Sequence, residues 1–400
     1  MTFRSHRMTA LVLSAVVVFA AGLGAGTPAW SADKPTNSKV AAKPLKAAKD
    51  SLDAKKYQDA IAKLKDVQAL QGKNSYDEHL INEMLGYAYV KTNQYPEAAK
   101  VLEADLDSGF VTGGDASKRV RQLLQINYQL KNYDKVLALG DRAIKGGYAD
   151  DDVYTWMGQA YYLKGDYKGA AKFIDAQVGN QIKSGKKPKE SLLVLIQNSC
   201  TRTSDGECLQ RTLERLVTYY PKTAYWQGLV DAMYRQQSGQ TDTILLQVYR
   251  LATAVDVLKR PSDYTEFAQL ALEAGSPGEA QSVLEKGFEK KIFVEPRDLD
   301  KNKRLLESAK KAAVTNQATL TKVDAEAAAA ATGDKDVNVG LTYLGYQQYD
   351  KAVAAIQRGL AKPGLQNAAN ARLLLGIAQL GAGRKDEARK AFKAVKGDAT

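Results

Sequence analysis

The feature that most constrains this 400-residue chain is that it repeats itself. One unit recurs: a small or apolar pair, an aromatic, a turn, a second aromatic, then an alanine three residues on. It reads Leu85-Gly86, Tyr89, Tyr95, Ala98, Leu102, and again Met157-Gly158, Tyr161, Tyr167, Ala170, Ile174. It returns as Val339-Gly340, Tyr343, Tyr349, Ala352, Ile356, and last as Leu375-Gly376, Ala388, Phe392. Weaker copies stand at Ala47-Ala48, Tyr57, Ala60, Leu64, at Leu123-Leu124, Tyr133, Val136, and at Phe267-Ala268, Ala280, Leu284. The steps are 38 (Ala48 to Gly86), 38 (to Leu124), 34 (to Gly158) and 36 (Gly340 to Gly376). A period of this size marks one supersecondary unit copied many times, each copy burying its apolar face only against its neighbours.

The copies read as helix pairs. Within each, apolar residues fall at i, i+3 or i+4 and i+7, the period of an amphipathic helix. Gly86, Gly158 and Gly376 sit mid-helix, where glycine costs about 1 kcal/mol against alanine, so they predict close helix–helix approach. Asn93-Gln94-Tyr95, Lys131-Asn132-Tyr133, Gly165-Asp166-Tyr167 and Gln347-Gln348-Tyr349 mark turns, and strand signals are nearly absent. This pattern resembles the tetratricopeptide repeat (TPR) family, whose unit is a helix–turn–helix of about 34 residues. Pro221 after Tyr219-Tyr220, and Trp226 ahead of Leu229 and Val230, match the family's closing proline and opening tryptophan. The resemblance covers most of residues 41–289 and 333–396 and implies an all-α fold, an α-solenoid of stacked helix–turn–helix repeats.

Two stretches depart from the pattern. Residues 236–258 form a second helix without the middle alanine. Residues 289–332 carry no repeat signature, opening basic (Lys290, Lys291, Arg297, Lys301, Lys303, Arg304) and ending in Ala327–Ala331. Leu299–Ala331 reads as one long helix or two. The expected organisation is a signal segment at 1–32, an N-terminal array at 41–289, a basic then alanine-rich helical linker at 290–332, and a C-terminal repeat pair at 333–400. A solenoid end needs a polar cap, so the last pair is expected to be uncapped or covered by a partner.

The first residues read as an address. Arg4, His6 and Arg7 precede an apolar run from Met8 to Ala21, followed by a small-residue exit at Ala29-Trp30-Ser31-Ala32. This is the layout of a secretory signal peptide, with cleavage expected after Ser31 or Ala32 and an uncleaved inner-membrane anchor as the alternative. The predicted location is the periplasm. The whole chain carries +12; removing the two arginines of residues 1–32, which hold no acid, leaves +10.

Little in the chain can do chemistry. Only His6 and His79 are present, so a serine or cysteine triad has almost nothing to draw on. His79, beside Asp77 and Glu78, reads as part of a helix start. Gly179–Lys187 resembles a phosphate loop only faintly and reads as a basic loop between repeats. Cys200 and Cys208 flank a predicted turn at Thr201–Glu207. An even count in an exported chain favours a structural disulfide, with two buried thiols as the alternative. No enzymatic activity, metal or cofactor is expected.

Function is expected in the concave surface that the first helices of TPR arrays line. The repeat frame places Tyr87, Arg121, Gln125, Tyr128, Gln159, Tyr162, Asn198, Arg202, Gln227, Tyr234 and Arg235 there, with Lys91, Gln129 and Asp231 beside them. Amides satisfy an extended peptide backbone, tyrosine adds apolar area with a polar tip, and arginine clamps carboxylates. Arg121, Asn198 and Arg202 echo the family's carboxylate clamp without its lysine and asparagine pattern, so that specificity does not carry over. In the C-terminal pair the same positions are apolar (Val337, Leu341, Leu344, Leu373, Ile377, Leu380), suited to the linker helix or a partner helix.

The expected function is a periplasmic protein–protein scaffold that binds a partner peptide or helix of the cell envelope, similar in layout to TPR proteins that accompany TonB-type systems. The alternative is a basic surface, centred on residues 290–304, for an acidic polymer or lipid headgroup. Nucleic acid and small molecules are not expected as partners.

Overall fold

A computed structural model describes residues 35–235 and 241–395; the expected signal segment lies outside the described residues. Those residues form 19 α-helices and no strand. Sixteen of the helices make eight hairpins. They are α1 (Lys39–Asp53) with α2 (Tyr57–Ala69) and α3 (Ser75–Lys91) with α4 (Tyr95–Leu106), after which α5 (Gly113–Gln129) and α6 (Tyr133–Lys145) follow in sequence. Next come α7 (Asp151–Leu163) with α8 (Tyr167–Lys183), α9 (Glu190–Arg202) with α10 (Gly206–Tyr219), and α11 (Thr223–Arg235) with α12 (Asp242–Ala254). Then follow α13 (Pro261–Glu273) with α14 (Pro277–Glu289), the lone helix α15 (Pro296–Ala329), α16 (Asp334–Gly345) with α17 (Tyr349–Ala361), and α18 (Ala368–Gly381) with α19 (Lys385–Lys393). The described residues divide into two compact units, one up to Ile126 and one from Asn127 on, with the boundary inside α5. Within each unit successive helices stack in chain order, the α-solenoid that the repeats predict.

The turn chemistry explains the hairpins. Asn93, Lys131, Gly165 and Gln347 all adopt the left-handed conformation two residues before a repeat tyrosine. The next amide bonds back to the first helix: Gln94 N to Tyr89 O (2.8 Å), Asn132 N to Asn127 O (2.8 Å), Asp166 N to Tyr161 O (3.0 Å), Gln348 N to Tyr343 O (2.9 Å). That six-to-one bond is the Schellman cap, which satisfies an orphan carbonyl and reverses the chain. The second helix then starts at the tyrosine.

The repeat glycines seat a side chain of the opposite helix. A Cβ on Gly158 would stand 2.6 Å from Ile174, and Gly86, Gly340 and Gly376 meet Leu102, Ile356 and Phe392 in the same way. Each partner lies sixteen residues on. The second-helix alanines Ala60, Ala98, Ala170, Ala280, Ala352 and Ala388 are buried for the same reason.

α15 is a single 34-residue helix. It runs beside the array rather than holding its two parts apart: it packs on α13, α14, α16 and α17, while α14 also packs directly on α16. The Thr342 hydroxyl donates to Gly275 O at 3.4 Å, and Cβ atoms on Gly278 and Gly345 would strike Tyr346 and Ser276. The Tyr346 hydroxyl fastens α15 by donating to Ala313 O (3.2 Å) and Asn316 Oδ1 (3.1 Å). Val337, Leu341 and Leu344 share a core with Leu320 and Ala327 of α15, so the apolar lining of the C-terminal pair faces the linker helix. Leu380 instead remains 51% exposed.

α12 departs from the pattern as its sequence does. Lacking the middle alanine, it buries Tyr249 and Arg250, and it packs on α11 less closely than the other hairpin partners pack. Arg250 makes a bidentate pair with Glu279 of α14 (2.8 and 2.6 Å).

Candidate functional site

The predicted first-helix positions resolve into clusters. Tyr87, 36% exposed, meets Tyr57 edge-on at 6.0 Å, with Lys91 Nζ 5.4 Å from its ring centre. Tyr128 meets Tyr133 edge-on at 6.1 Å, and Tyr162 meets Tyr167 at 4.9 Å. Edge-to-face geometry is the favoured one for such rings. In each case one ring is a predicted groove tyrosine and the other opens a second helix. All six rings are partly exposed, offering rigid apolar area and hydroxyls to solvent. Burial pushes the Tyr87 and Tyr128 hydroxyls above their ordinary pKa, so both stay neutral donors.

Arg202 at the end of α9 joins the Tyr162 cluster, its guanidinium 5.9 Å from the Tyr167 ring centre. Gln159 lies three residues before Tyr162 on the same helix face, and Asn198 lies one turn before Arg202, exposed with it. Arg121 and Gln125 are exposed one turn apart on α5. They lie in the first unit. Arg235 is exposed, its Nε donating to Asp231 O at 3.2 Å.

The most built part of the surface is a cavity of about 300 Å³ between α11, the end of α12 and the start of α13. Gln227, Asp231 and Tyr234 line it from α11 at i, i+4 and i+7, together with Lys259, Arg260 and Asp263. Gln227 Nε2 donates to Asp231 Oδ1 at 3.2 Å. Arg260 is turned to Asp263, its Nε 3.0 Å from both carboxylate oxygens, and its guanidinium lies 5.8 Å from the Tyr234 ring centre. Gln227 Oε1 and the Tyr234 hydroxyl are closed off yet have no protein hydrogen-bond partner. Burial, then the Asp263 charge, pushes the Tyr234 hydroxyl far above its ordinary pKa.

Sequence reasoning missed half of each cluster. Tyr57, Tyr133 and Tyr167 were legible as repeat positions, but a repeat position says nothing of its neighbour's ring. Lys259, Arg260 and Asp263 belong to no motif; the only trace was the missing alanine in α12, which left room behind α11.

His79 lies near the start of α3, as its acidic neighbours predict, and Asn74 and Asp77 form the capping box there (2.9 and 3.0 Å). Its Nδ1 sits 2.6 Å from buried Asp105, which also pairs with Arg119, and the ring stacks on Phe110 at 5.2 Å. Gly179 lies inside α8 and not in a loop; only residues 184–189 connect α8 to α9. Cys200 and Cys208 form a disulfide from the end of α9 to the start of α10, with Cα atoms 5.7 Å apart. In the basic run, Lys290 pairs with Asp256, and Phe293 is only 4% exposed in the core. Among the described residues no group of acidic, histidine or cysteine side chains could hold a metal, and no helix is long and apolar enough to cross a membrane.

Comparison with known proteins fits this geometry. A family model described as tetratricopeptide repeat matches residues 45–109 and 340–400. The chain carries tetratricopeptide repeats in these two segments. No curated protein matches it. Among solved structures it is similar to a TPR protein from Parabacteroides merdae at 13% identity, covering 86% of this chain and 100% of that one, with a TM-score of 0.33. It is also similar to the C-terminal part of a TPR repeat-containing protein from Cytophaga hutchinsonii, at 11% identity, 80% and 95% coverage and a TM-score of 0.32. A third likeness is to the TPR2AB domain of yeast Sti1 in a complex with pHSP90, at 15% identity, 71% and 90% coverage and a TM-score of 0.27. At these scores none of the three bears on function. TPR proteins are in general non-enzymatic scaffolds for protein–protein interaction.

Proposed function

We propose that this TPR protein is an adaptor of the cell envelope. It is exported, works in the periplasm without catalysing a reaction, and binds an extended segment or helix of an envelope protein along its first-helix face, as an accessory to a TonB-type energy-transducing complex. The observation that carries this reading is the pairing of half-exposed tyrosines on successive hairpins, Tyr57 with Tyr87, Tyr128 with Tyr133 and Tyr162 with Tyr167. Rigid aromatic rings flanked by arginine and amides are the composition of binding hot spots. The charged start and apolar run of residues 4–21 support export. A surface for acidic polymers has less behind it, because Phe293 is core and Lys290 is engaged by Asp256.

Tagged protein recovered from fractionated, crosslinked cells tests the reading. It should appear in the periplasmic fraction, begin at Ala32 or Asp33, and carry an envelope protein that the Tyr162→Ala/Arg202→Glu variant does not. Uncleaved protein in the cytosol, or the same captured proteins on both forms, would refute it.

A further inference from the structure

We infer that the cavity between α11, α12 and α13 is a subsite for one basic side chain, arginine or lysine, of the segment that the array binds. The inference rests on the adaptor reading above and names the chemistry that one position of the partner must have.

The cavity, about 300 Å³, is at the low end of ligand sites, the right scale for a side chain. Its unmet groups are an amide oxygen and a hydroxyl that can accept or donate. Gln227 Oε1 can only accept, and it is closed off with no partner. Its orientation is fixed, because turning the amide over would set oxygen against the Asp231 carboxylate that Nε2 now serves at 3.2 Å. The Tyr234 hydroxyl oxygen is equally without a partner. Asp231 receives that single amide donor, and no ion pair among the described residues reaches its carboxylate. Leaving the Gln227 oxygen and the Tyr234 hydroxyl unpaired costs about 1–3 kcal/mol each, so a ligand that supplies several N–H donors can meet both and pair with the Asp231 charge.

The local charges select the sign of the ligand. Arg260 is committed to Asp263, through Nε at 3.0 Å and an ion pair at 2.9 Å, and Lys259 is exposed. Asp231 and exposed Lys259 are thus the two lining charges left open to a ligand, and Asp231 is the one beside the unpartnered Gln227 side chain. Val230 and Leu258 supply apolar wall for a methylene stem. A carboxylate entering here would meet Asp231, Asp263 and the Gln227 oxygen, against Lys259 and the already paired Arg260.

The intact purified protein, labelled at its tyrosine rings, tests this by NMR titration with N-acetyl-arginine methylamide. Tyr234→Phe assigns the relevant signal among the 21 tyrosines. The arginine probe should shift the Tyr234 signal saturably. N-acetyl-norleucine methylamide and N-acetyl-glutamate methylamide should bind about tenfold more weakly or less. Asp231→Asn should weaken the arginine probe about tenfold without lowering the melting temperature. An unmoved Tyr234 signal, a tighter glutamate probe, or an arginine affinity indifferent to Asp231→Asn would overturn the subsite. The two readings fail separately. A crosslinked partner with no arginine effect would keep the adaptor and remove the subsite; an arginine effect with no partner would do the reverse.

Discussion

Tyr234 and Tyr249 lie side by side with ring centres 5.4 Å apart, yet their hydroxyls stand in opposite conditions. Tyr249 donates to Glu266 Oε2 at 2.7 Å, whereas the closed-off Tyr234 hydroxyl has no protein partner. Replacing each by phenylalanine keeps the rings and removes only the oxygen. Tyr249→Phe gives up a bond to a carboxylate on an exposed residue, worth about 1–2 kcal/mol. Tyr234→Phe removes a group whose burial was uncompensated, so stability should hold or rise by up to about 1 kcal/mol. In a unit of this size 1 kcal/mol corresponds to about 2–4 °C. Thermal and urea unfolding, followed by circular dichroism, should therefore show Tyr249→Phe melting roughly 2–8 °C below the parent and Tyr234→Phe at or above it. Equal losses in both variants would refute the assignment of Tyr234 as a group held for a ligand. A gain in stability paired with a loss in binding is the usual mark of a functional position.

Three further outcomes follow from the fold. Gly158→Ala should lower stability by about 1 kcal/mol, because overpacking against buried Ile174 outweighs the helix-propensity gain, and adding Ile174→Val should restore part of it in urea unfolding. Cys200→Ala/Cys208→Ala should cost about 2–3 kcal/mol by the loop-entropy relation, read as a lower urea midpoint; an unchanged midpoint would show the bond absent. Tyr225 and Tyr343 are each pushed up to about 12, by burial first and then by hydrogen bonds to Glu190 and Asp324. Both keep their protons longer folded than unfolded. Their contribution is complete below about pH 10 and is lost as pH rises through about 12, so Tyr225→Phe/Tyr343→Phe should flatten the alkaline fall in melting temperature.

The hairpins were legible because their determinants are local. The left-handed turn residue, the tyrosine two positions on and the glycine facing a residue sixteen further along all fall within one repeat, so spacing alone exposes them. The disulfide was legible for the same reason. What stayed hidden depends on residues far apart in sequence. The contact of α14 with α16 rests on Gly278 and Gly345, sixty-seven positions apart and outside any signature. His79 was read from its chain neighbours, but its partner Asp105 lies on the next helix, 26 residues away. The cavity joins Gln227 to Asp263 across two turns. Its single sequence trace was an absence, the alanine that α12 lacks, and an absence shows where packing loosens without naming what lines the gap.

Photo-crosslinking inside the envelope tests the central claim most directly. A photoreactive residue replaces Tyr162, on the tyrosine-paired face, and in a matched protein replaces exposed Lys172 of α8. The account predicts discrete protein adducts at 162 that survive high salt, with none of them at 172. Adducts that vanish with salt, or the same pattern at both positions, would contradict it.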